Sequence, residues 1–326
     1  MTGVASSIGE RVVALLDSDD SVVSIVGLDV SEPVQAARKF EFHLCDLATT
    51  DLKSILRGVD VLVQIGASTA IANTSEQVLL RCKDTEETRR LLDAAGGSSV
   101  RRVVRVATAT VYGAWANNAV PIGEDAPLRP NNGFLPASVD AESERIVLDW
   151  SDRHPDATTV VLRVAPVAGP GDFGPFGFAS SPTAWERTDR LVQFVHIDDV
   201  ASAVGLATVS EISGVYNVAA NGYLDAREAN AIVGGTSGTS KLSSLVKRHG
   251  RADVPSAALP YLSHSWVIAN DRLRAAGWEP KFSNEEILLL GADTARRQPN
   301  MARAASLVVS VLSAAWWIRQ KRRSHK

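Results

Sequence analysis

An α/β fold, with a parallel sheet covered by helices on both faces, is predicted for this chain of 326 residues. Two observations carry that expectation. Short runs rich in β-branched residues alternate with amphipathic stretches of helical period through the first half of the chain. A hydrophobic content of 45% over this length is enough to bury a large core.

The elements follow in order. Ile8–Leu16 reads as a helix, with Ile8, Val12, Leu15 and Leu16 on one face. Val22–Leu28 is a strand, Phe42–Leu44 a shorter one, and Val59–Ile65 a third. Glu86–Ala95 gathers Leu91, Leu92 and Ala95 on one helical face, ahead of the strand Val100–Val106. Ala141–Trp150 repeats the helical pattern through Ile146, Val147 and Trp150, and Thr158–Val164 returns to strand. Ala168–Pro182 is rich in Gly and Pro and reads as an irregular excursion. Val192–His196 has strand character, and Asp198 or Asp199 is placed to cap a helix through Leu206. The expected organisation is a sheet domain over 1–165, a smaller substrate lobe from 166–190 and 221–296, a returning segment at 191–220, and a tail at 301–326.

Composition narrows the function. A net charge of -3 gives no case for nucleic acid as a partner. Cys45 and Cys82 have no paired or ligand-like spacing, so a reduced, cytoplasmic protein without a metal site is expected. The N-terminus opens on a turn motif rather than a signal peptide.

That turn, Thr2-Gly3-Val4-Ala5-Ser6-Ser7-Ile8-Gly9, leads into the first helix. A Gly-rich turn at a helix N-terminus offers free N–H groups and the positive end of the helix dipole to a pyrophosphate. Gly3 suits the tight turn, and Gly9 lets the helix sit close to the sheet. About twenty residues on, Asp29 ends the VVSIVGLDV run, where a carboxylate grips ribose hydroxyls and favours NAD over NADP. These features together predict a Rossmann-type, doubly wound sheet with a small C-terminal substrate lobe.

From residue 2 to about 290 the chain resembles the extended short-chain dehydrogenases of the NAD-dependent epimerase/dehydratase family. The likeness rests on the opening turn, Asp46-Leu47, Gly66-Ala67-Ser68, Thr110-Val111-Tyr112-Gly113, Gly169-Pro170-Gly171 and Phe194-Val195-His196-Ile197-Asp198-Asp199-Val200. It implies bound NAD and a small-molecule substrate such as a nucleotide sugar. Gly3, Ser6, Ser7, Ile8, Gly9, Asp29, Asp46, Leu47, Gly66, Ala67 and Ser68 would lie around the dinucleotide. A homodimer formed through a helix pair is common among such relatives.

The departures are as informative. Ser6 replaces the middle glycine of the turn, so its Cβ is expected where backbone approaches phosphate, while its hydroxyl offers a donor. The family's turn follows a buried strand, whereas only Met1 precedes it here: either the first strand is absent or the sequence as given starts too late, and a sheet lacking its central strand would carry exposed edges and poor solubility. Catalysis in the family uses a Ser or Thr, which falls on Thr108, and a Tyr and Lys four apart on one helix face. Those two positions fall on Pro136 and Asp140, and none of the four tyrosines is followed by Lys at that spacing. Proline has no proton to give, and Asp140 reverses the charge that would ease phenol ionisation. Pro166 stands where many nucleotide-sugar relatives carry an Asn that contacts substrate. Thr108, Tyr112 and Asp140 are the remaining candidates for proton transfer, Tyr112 as a donor and Asp140 as a base. The alternative is that Tyr112 lines the pocket and Asp140 is a solvated carboxylate. His196 is expected to be packed rather than catalytic. Two functions stay open: an epimerase or oxidoreductase with an altered proton relay, and a non-catalytic NAD(P)-binding or scaffold protein.

The uncharged run Ala304–Ile318 would make a helix of about 22 Å, short against a hydrocarbon core of about 30 Å. Trp316 and Trp317 then adjoin Arg319, Lys321, Arg322, Arg323 and Lys326. Over 304–326 this reads as a peripheral helix on the inner membrane surface, as a terminal helix packed against protein, or as a spanning tail anchor.

Overall fold

The computed structural model describes residues 1–35, 37–66, 75–168, 189–235 and 256–297, with side chains 75–83, 233–235 and 292–297 also left aside. Ala67, Ser68, Gly169-Pro170-Gly171, the rest of the excursion to Pro182, and the tail 304–326 lie outside these residues. Among the described residues, no helix is long and apolar enough to cross a membrane.

The centre is a parallel sheet in the order β3 (Val61–Ile65), β4 (Arg102–Thr108), β5 (Thr158–Val164), β9 (Gly214–Val218). Beside it lies a parallel pair, β1 (Ile25–Asp29) with β2 (Phe40–Leu44). Successive residues of each strand face opposite sides, and both sides are buried. Val104, Val106, Val160 and Leu162 belong to one apolar cluster with Val12, Leu16, Val200 and Val204, from α1 (Ser7–Asp17) and α5 (Ile197–Val209). Val103 and Val161 join a second cluster with Leu91, Leu92, Val147 and Trp150, from α3 (Ser75–Gly96) and α4 (Leu135–Arg153). Each such side chain contributes about 1.5–3 kcal/mol by leaving water. The helices α1 and α5 therefore cover one face, and α3 and α4 the other.

The central strand is not wholly missing. Thr2 makes parallel bridges to both Leu28 and Gln64. Its N–H donates to the Val63 carbonyl at 2.9 Å, and the Leu28 N–H donates to the Met1 carbonyl at 2.8 Å. Two residues thus stand where a longer strand was expected, and they tie β1 to β3. Beside them a cleft runs between the strands, lined by Met1, Ile25, Val26, Val61 and Val63 among others. The Met1 nitrogen donates to the Val26 carbonyl at 2.7 Å.

Beyond the sheet, β6 (Val167–Ala168) pairs with β8 (Val195–His196), and β7 (Leu191–Val192) pairs with β10 (Leu224–Asp225). Val192, Phe194, Leu224, Ala226, Ile287 and Leu288 form a third cluster with residues of both returning segments. Neither Asp198 nor Asp199 caps α5. The cap is His196, whose ring accepts from the Asp198 N–H at 3.3 Å. Asp199 instead accepts from the Lys281 and Phe282 N–H groups, at 2.9 and 3.2 Å, and holds that loop to the helix.

Candidate active site

The crevice at the carboxyl ends of β1, β3 and β4 gathers most of the described motif residues, the position where open α/β sheets hold ligands. The turn before α1 is built for close approach. Gly3 has φ of 70°, a conformation that favours glycine. A Cβ added at Gly9 would lie 2.1 Å from the Gly3 carbonyl oxygen, so only glycine lets α1 start this near the turn.

The Ser6 hydroxyl is not the free donor its identity suggested, because its side chain folds onto the turn. Its Oγ donates to the Gly3 carbonyl at 2.7 Å and accepts from the Gly9 N–H at 3.0 Å, which caps the helix. The hydroxyl is therefore spent on the turn rather than offered to a ligand. First-turn N–H groups have no partner inside a helix. Those of Ser7 and Ile8 take no acceptor among the described hydrogen bonds, so they remain for an anion.

Asp29 ends β1 beside this turn. One carboxylate oxygen accepts from the Ala5 N–H at 3.0 Å and the other from the Val30 N–H at 2.7 Å. These bonds fix the carboxylate against the turn while leaving lone pairs for a diol. Asp46 shapes the turn after β2 by accepting from the Ala48 N–H at 2.9 Å, and the Leu47 carbonyl accepts from Arg90 Nε of α3 at 2.9 Å. Gly66 follows β3, with its N–H on the Val106 carbonyl. The described residues expected around an adenosine diphosphate thus come together. Glycines allow close approach, first-turn N–H groups lie at the turn, and a carboxylate ends the neighbouring strand, a donor and acceptor set that suits a dinucleotide.

The proton-handling positions look different from the family's. Pro136 is buried in the first turn of α4, where its missing N–H costs no hydrogen bond. Asp140, one turn further, is neither solvated nor free to face a ligand directly, since its residue is only 6% exposed. Its Oδ2 accepts from the Thr108 N–H at 3.1 Å and from Thr108 Oγ1 at 2.8 Å. Its Oδ1 accepts from Arg105 Nη2 at 3.2 Å. The same Arg105 nitrogen donates to Asp84 of α3 at 3.1 Å, and Ser143 Oγ donates to Asp84 at 3.2 Å. Two carboxylates therefore share one fully buried guanidinium. Burial pushes the Asp140 carboxyl up to about 6, against the pull of Arg105 and with the push of Asp84. The cation that the family places on α4 has in effect moved to β4, and an acid has taken its position.

Tyr112 is not a proton donor to the crevice. It is 2% exposed; its hydroxyl donates to Asn217 Oδ1 at 2.8 Å and accepts from Arg163 Nη1 at 2.6 Å. Arg163 also binds Glu144 through Nε at 3.1 Å and lies over the Tyr112 ring, 4.8 Å from its centroid. Burial raises the phenol pKa, and Arg163 offsets only part of that rise. A phenol and a cation do meet, but as a sealed core network. His196 is packed, its ring stacked 3.7 Å from that of Phe282, and burial lowers its pKa.

Sequence reasoning missed Arg190. It is 5% exposed and lines a small pocket with Pro166, Phe194, Tyr261 and Trp266 among others. Nη1 donates to the Tyr261 carbonyl at 3.1 Å, but Nε and Nη2 have no partner. Burial alone pushes its pKa down to about 10. A guanidinium withdrawn from water with two nitrogens unmet is a site that an anion would complete. Tyr261 links this cavity to the strand ends, since its hydroxyl donates to the Thr110 carbonyl at 2.8 Å. The only signal in the sequence was a lone Arg before an apolar strand. Among the described residues, no cluster of His, Cys, Asp and Glu could hold a metal ion.

The family model described as NAD dependent epimerase/dehydratase matches residues 1–219. The chain belongs to this family. A relative in Mycobacterium tuberculosis, the uncharacterised protein Rv0501, is 26% identical over 306 residues, spanning 88% of this chain and 81% of its own. The low-salt glycan biosynthesis protein Agl12 of Haloferax volcanii is 23% identical over 314 residues, with 88% and 94% covered. Among solved structures, UDP-glucuronic acid 4-epimerase of Bacillus cereus with NAD and a fluorinated UDP-glucuronic acid superposes with a TM-score of 0.69 at 18% identity, covering 91% of this chain and 98% of that one. MoeE5 with UDP-glucose and NAD gives 0.66 at 20% identity and the same coverage. At these identities the superpositions establish the shared Rossmann-type fold.

Proposed function

We propose that the protein binds NAD at the crevice beside Asp29 and acts on a nucleotide sugar or a related alcohol or carbonyl compound, as an epimerase or oxidoreductase. The observation that carries this reading is the convergence of the Asp29 carboxylate with the Gly3–Gly9 turn and its free Ser7 and Ile8 N–H groups. The carboxylate suits the ribose diol of NAD and repels the extra phosphate of NADP. The Arg190 cavity supports a phosphate-bearing substrate, and its Pro166 wall stands at the position the family gives to substrate contact. Solved neighbours that hold UDP-sugars together with NAD point the same way. When bound, the nicotinamide supplies the chemistry of removing or returning hydrogen at carbon. The chain itself holds the dinucleotide, seats the phosphates and handles the hydroxyl proton.

Calorimetric titration with NAD and NADP tests the first half. Tighter binding of NAD than of NADP by the parent, a preference that Asp29→Ala weakens, supports it, and equal binding of both by the parent overturns it. UDP-glucose and UDP-glucuronic acid test the second half. Their affinity should fall in Arg190→Met, since a hydrogen-bonded charge contributes about 1.5–3 kcal/mol.

The second reading, a non-catalytic NAD-binding or scaffold protein, is favoured by Pro136 and Asp140. Tight binding of both ligands with neither reduction of NAD nor conversion of the sugar would select it. The tail at 304–326 is read either as a membrane-surface helix or as one packed on protein. Cosedimentation with anionic vesicles, comparing the full chain with one ending at Asn300, separates these, and ultracentrifugation of the same pair tests for a homodimer.

A further inference from the structure

We infer that Thr108 and Asp140 form the proton relay of this site, replacing the missing Tyr and Lys: Thr108 Oγ1 takes the proton of a substrate hydroxyl while passing its own to Asp140. The inference rests on the function proposed above.

The geometry supplies each part. Thr108 ends β4 at the crevice and is half-buried, so its hydroxyl is the accessible member of the pair. Its Oγ1 donates to Asp140 Oδ2 at 2.8 Å, and the Thr108 N–H at 3.1 Å holds the same oxygen in line. The Thr110 hydroxyl contacts Thr108 Oγ1 closely and fixes its rotamer. A hydroxyl that gives its hydrogen to a carboxylate keeps lone pairs for another donor, here the substrate. On transfer, the substrate O–H bond breaks and a Thr108 O–H bond forms. The original Thr108 O–H bond breaks and an Asp140 O–H bond forms. The negative charge passes from Asp140 to the substrate oxygen. The hydrogen on carbon leaves with its electron pair, for which the nicotinamide dinucleotide is the oxidant.

The surroundings poise the acid for this role. Asp140 faces Arg105 on β4 and Asp84 on α3, which shares Arg105, while Glu144 acts on Arg105 from further off. Two acids against one cation leave a surplus negative charge, and burial opposes it, so one proton is taken up near neutrality. A general base works best when its pKa lies near the working pH. A purely structural ion pair needs neither the second acid nor the bond to a crevice hydroxyl.

The test uses the full chain with NAD and UDP-glucose, UDP-glucuronic acid or UDP-N-acetylglucosamine. Binding is read by calorimetry and NAD reduction by absorbance. Thr108→Val should lower the rate by about 100-fold or more while NAD affinity holds, and Thr108→Ser should restore most of it. Infrared difference spectra of the cofactor-free protein should show one carboxyl titrating near pH 6 that Asp140→Asn removes, and the acid limb of the rate profile should vanish with it. A Thr108→Val rate within about threefold of the parent overturns the relay, well short of the effect of losing an acid–base group. So does the absence of that titrating carboxyl, or the binding of NAD and sugar nucleotide with neither NAD reduction nor conversion of the sugar. Failure to bind NAD overturns the proposed function, and the relay with it. If Asp140→Asn does not fold, the Thr108 pair decides alone.

Discussion

Restoring the family's lysine is the obvious experiment on this chain, and the structure predicts that it fails. Asp140→Lys removes the acceptor of two Thr108 hydrogen bonds and one partner of a guanidinium with no solvent exposure. It also sets an ammonium where a carboxylate now lies 3.2 Å from Arg105. Breaking a buried pair by removing one partner costs about 3–5 kcal/mol. The lysine can escape repulsion by shedding its proton, but the hydrogen bonds to Thr108 stay lost. Against a typical domain stability of about 5–15 kcal/mol, this loss is severe. Urea unfolding at neutral pH reads it directly. The double variant Arg105→Met with Asp140→Lys puts the lysine opposite Asp84 alone. It should be less destabilised than the sum of the single variants, by about 1–3 kcal/mol. Asp140→Lys within about 1 kcal/mol of the parent, where ordinary surface substitutions fall, would refute the reasoning. By the same logic, Pro136→Tyr with Asp140→Lys does not rebuild the family's site unless Arg105 is changed too.

Other outcomes follow from the same geometry. Folded Asp140 keeps its proton up to about pH 6, whereas the unfolded chain releases it near the ordinary aspartate value of 3.8. The folded state therefore binds more protons between those values, so this group's contribution to stability falls as pH rises through them. Unfolding curves across that range should show the fall in the parent and not in Asp140→Asn. Glu144→Gln strips the charged partner from buried Arg163 and should cost about 3–5 kcal/mol. Tyr112→Phe loses two bonds, to Asn217 and from Arg163, in a network where Arg163 keeps Glu124 and Glu144, and should cost about 1–3 kcal/mol with no change in the pH–rate profile. Gly9→Ala forces a Cβ to within 2.1 Å of the Gly3 carbonyl, so both melting temperature and NAD affinity should drop together.

The periodic elements were legible because their chemistry is local. Apolar runs at Val59–Ile65, Val100–Val106 and Thr158–Val164 became β3, β4 and β5, with ends shifted by up to two residues. Phe42–Leu44 began two residues earlier, and Val22–Ser24 fell outside β1. The strand Gly214–Val218 was missed, its five residues holding a Gly and an Asn. The Gly3–Gly9 turn and Asp29 were read from their spacing, whereas Asp46, Leu47 and Gly66 came only from the family resemblance. What spacing does not reveal is pairing across the fold. Arg105 and Arg163 sit mid-strand in apolar runs, and their partners, Asp84, Asp140 and Glu144, come from helices distant in sequence. Read along the chain, Asp140 is one more polar helix residue, and only the approach of β4 turns it into a buried acid. Ser6 was misjudged for a related reason, since its identity says nothing of which way its hydroxyl turns.

The Met1–Thr2 bridge makes one piece of the sheet separable. Among the described residues, β1 and β2 share backbone hydrogen bonds with β3 only through this two-residue splint. The ribbon behind it carries Asp29 at its end, so whatever loosens the splint also unseats the ribose anchor. Amide hydrogens of Ile25–Asp29 and Phe40–Leu44 should then exchange as a cooperative unit, ahead of those in β4 and β5. Dinucleotide clamped across the join would slow that exchange selectively, which makes occupancy of the crevice a fastener for the ribbon as well as a prelude to chemistry.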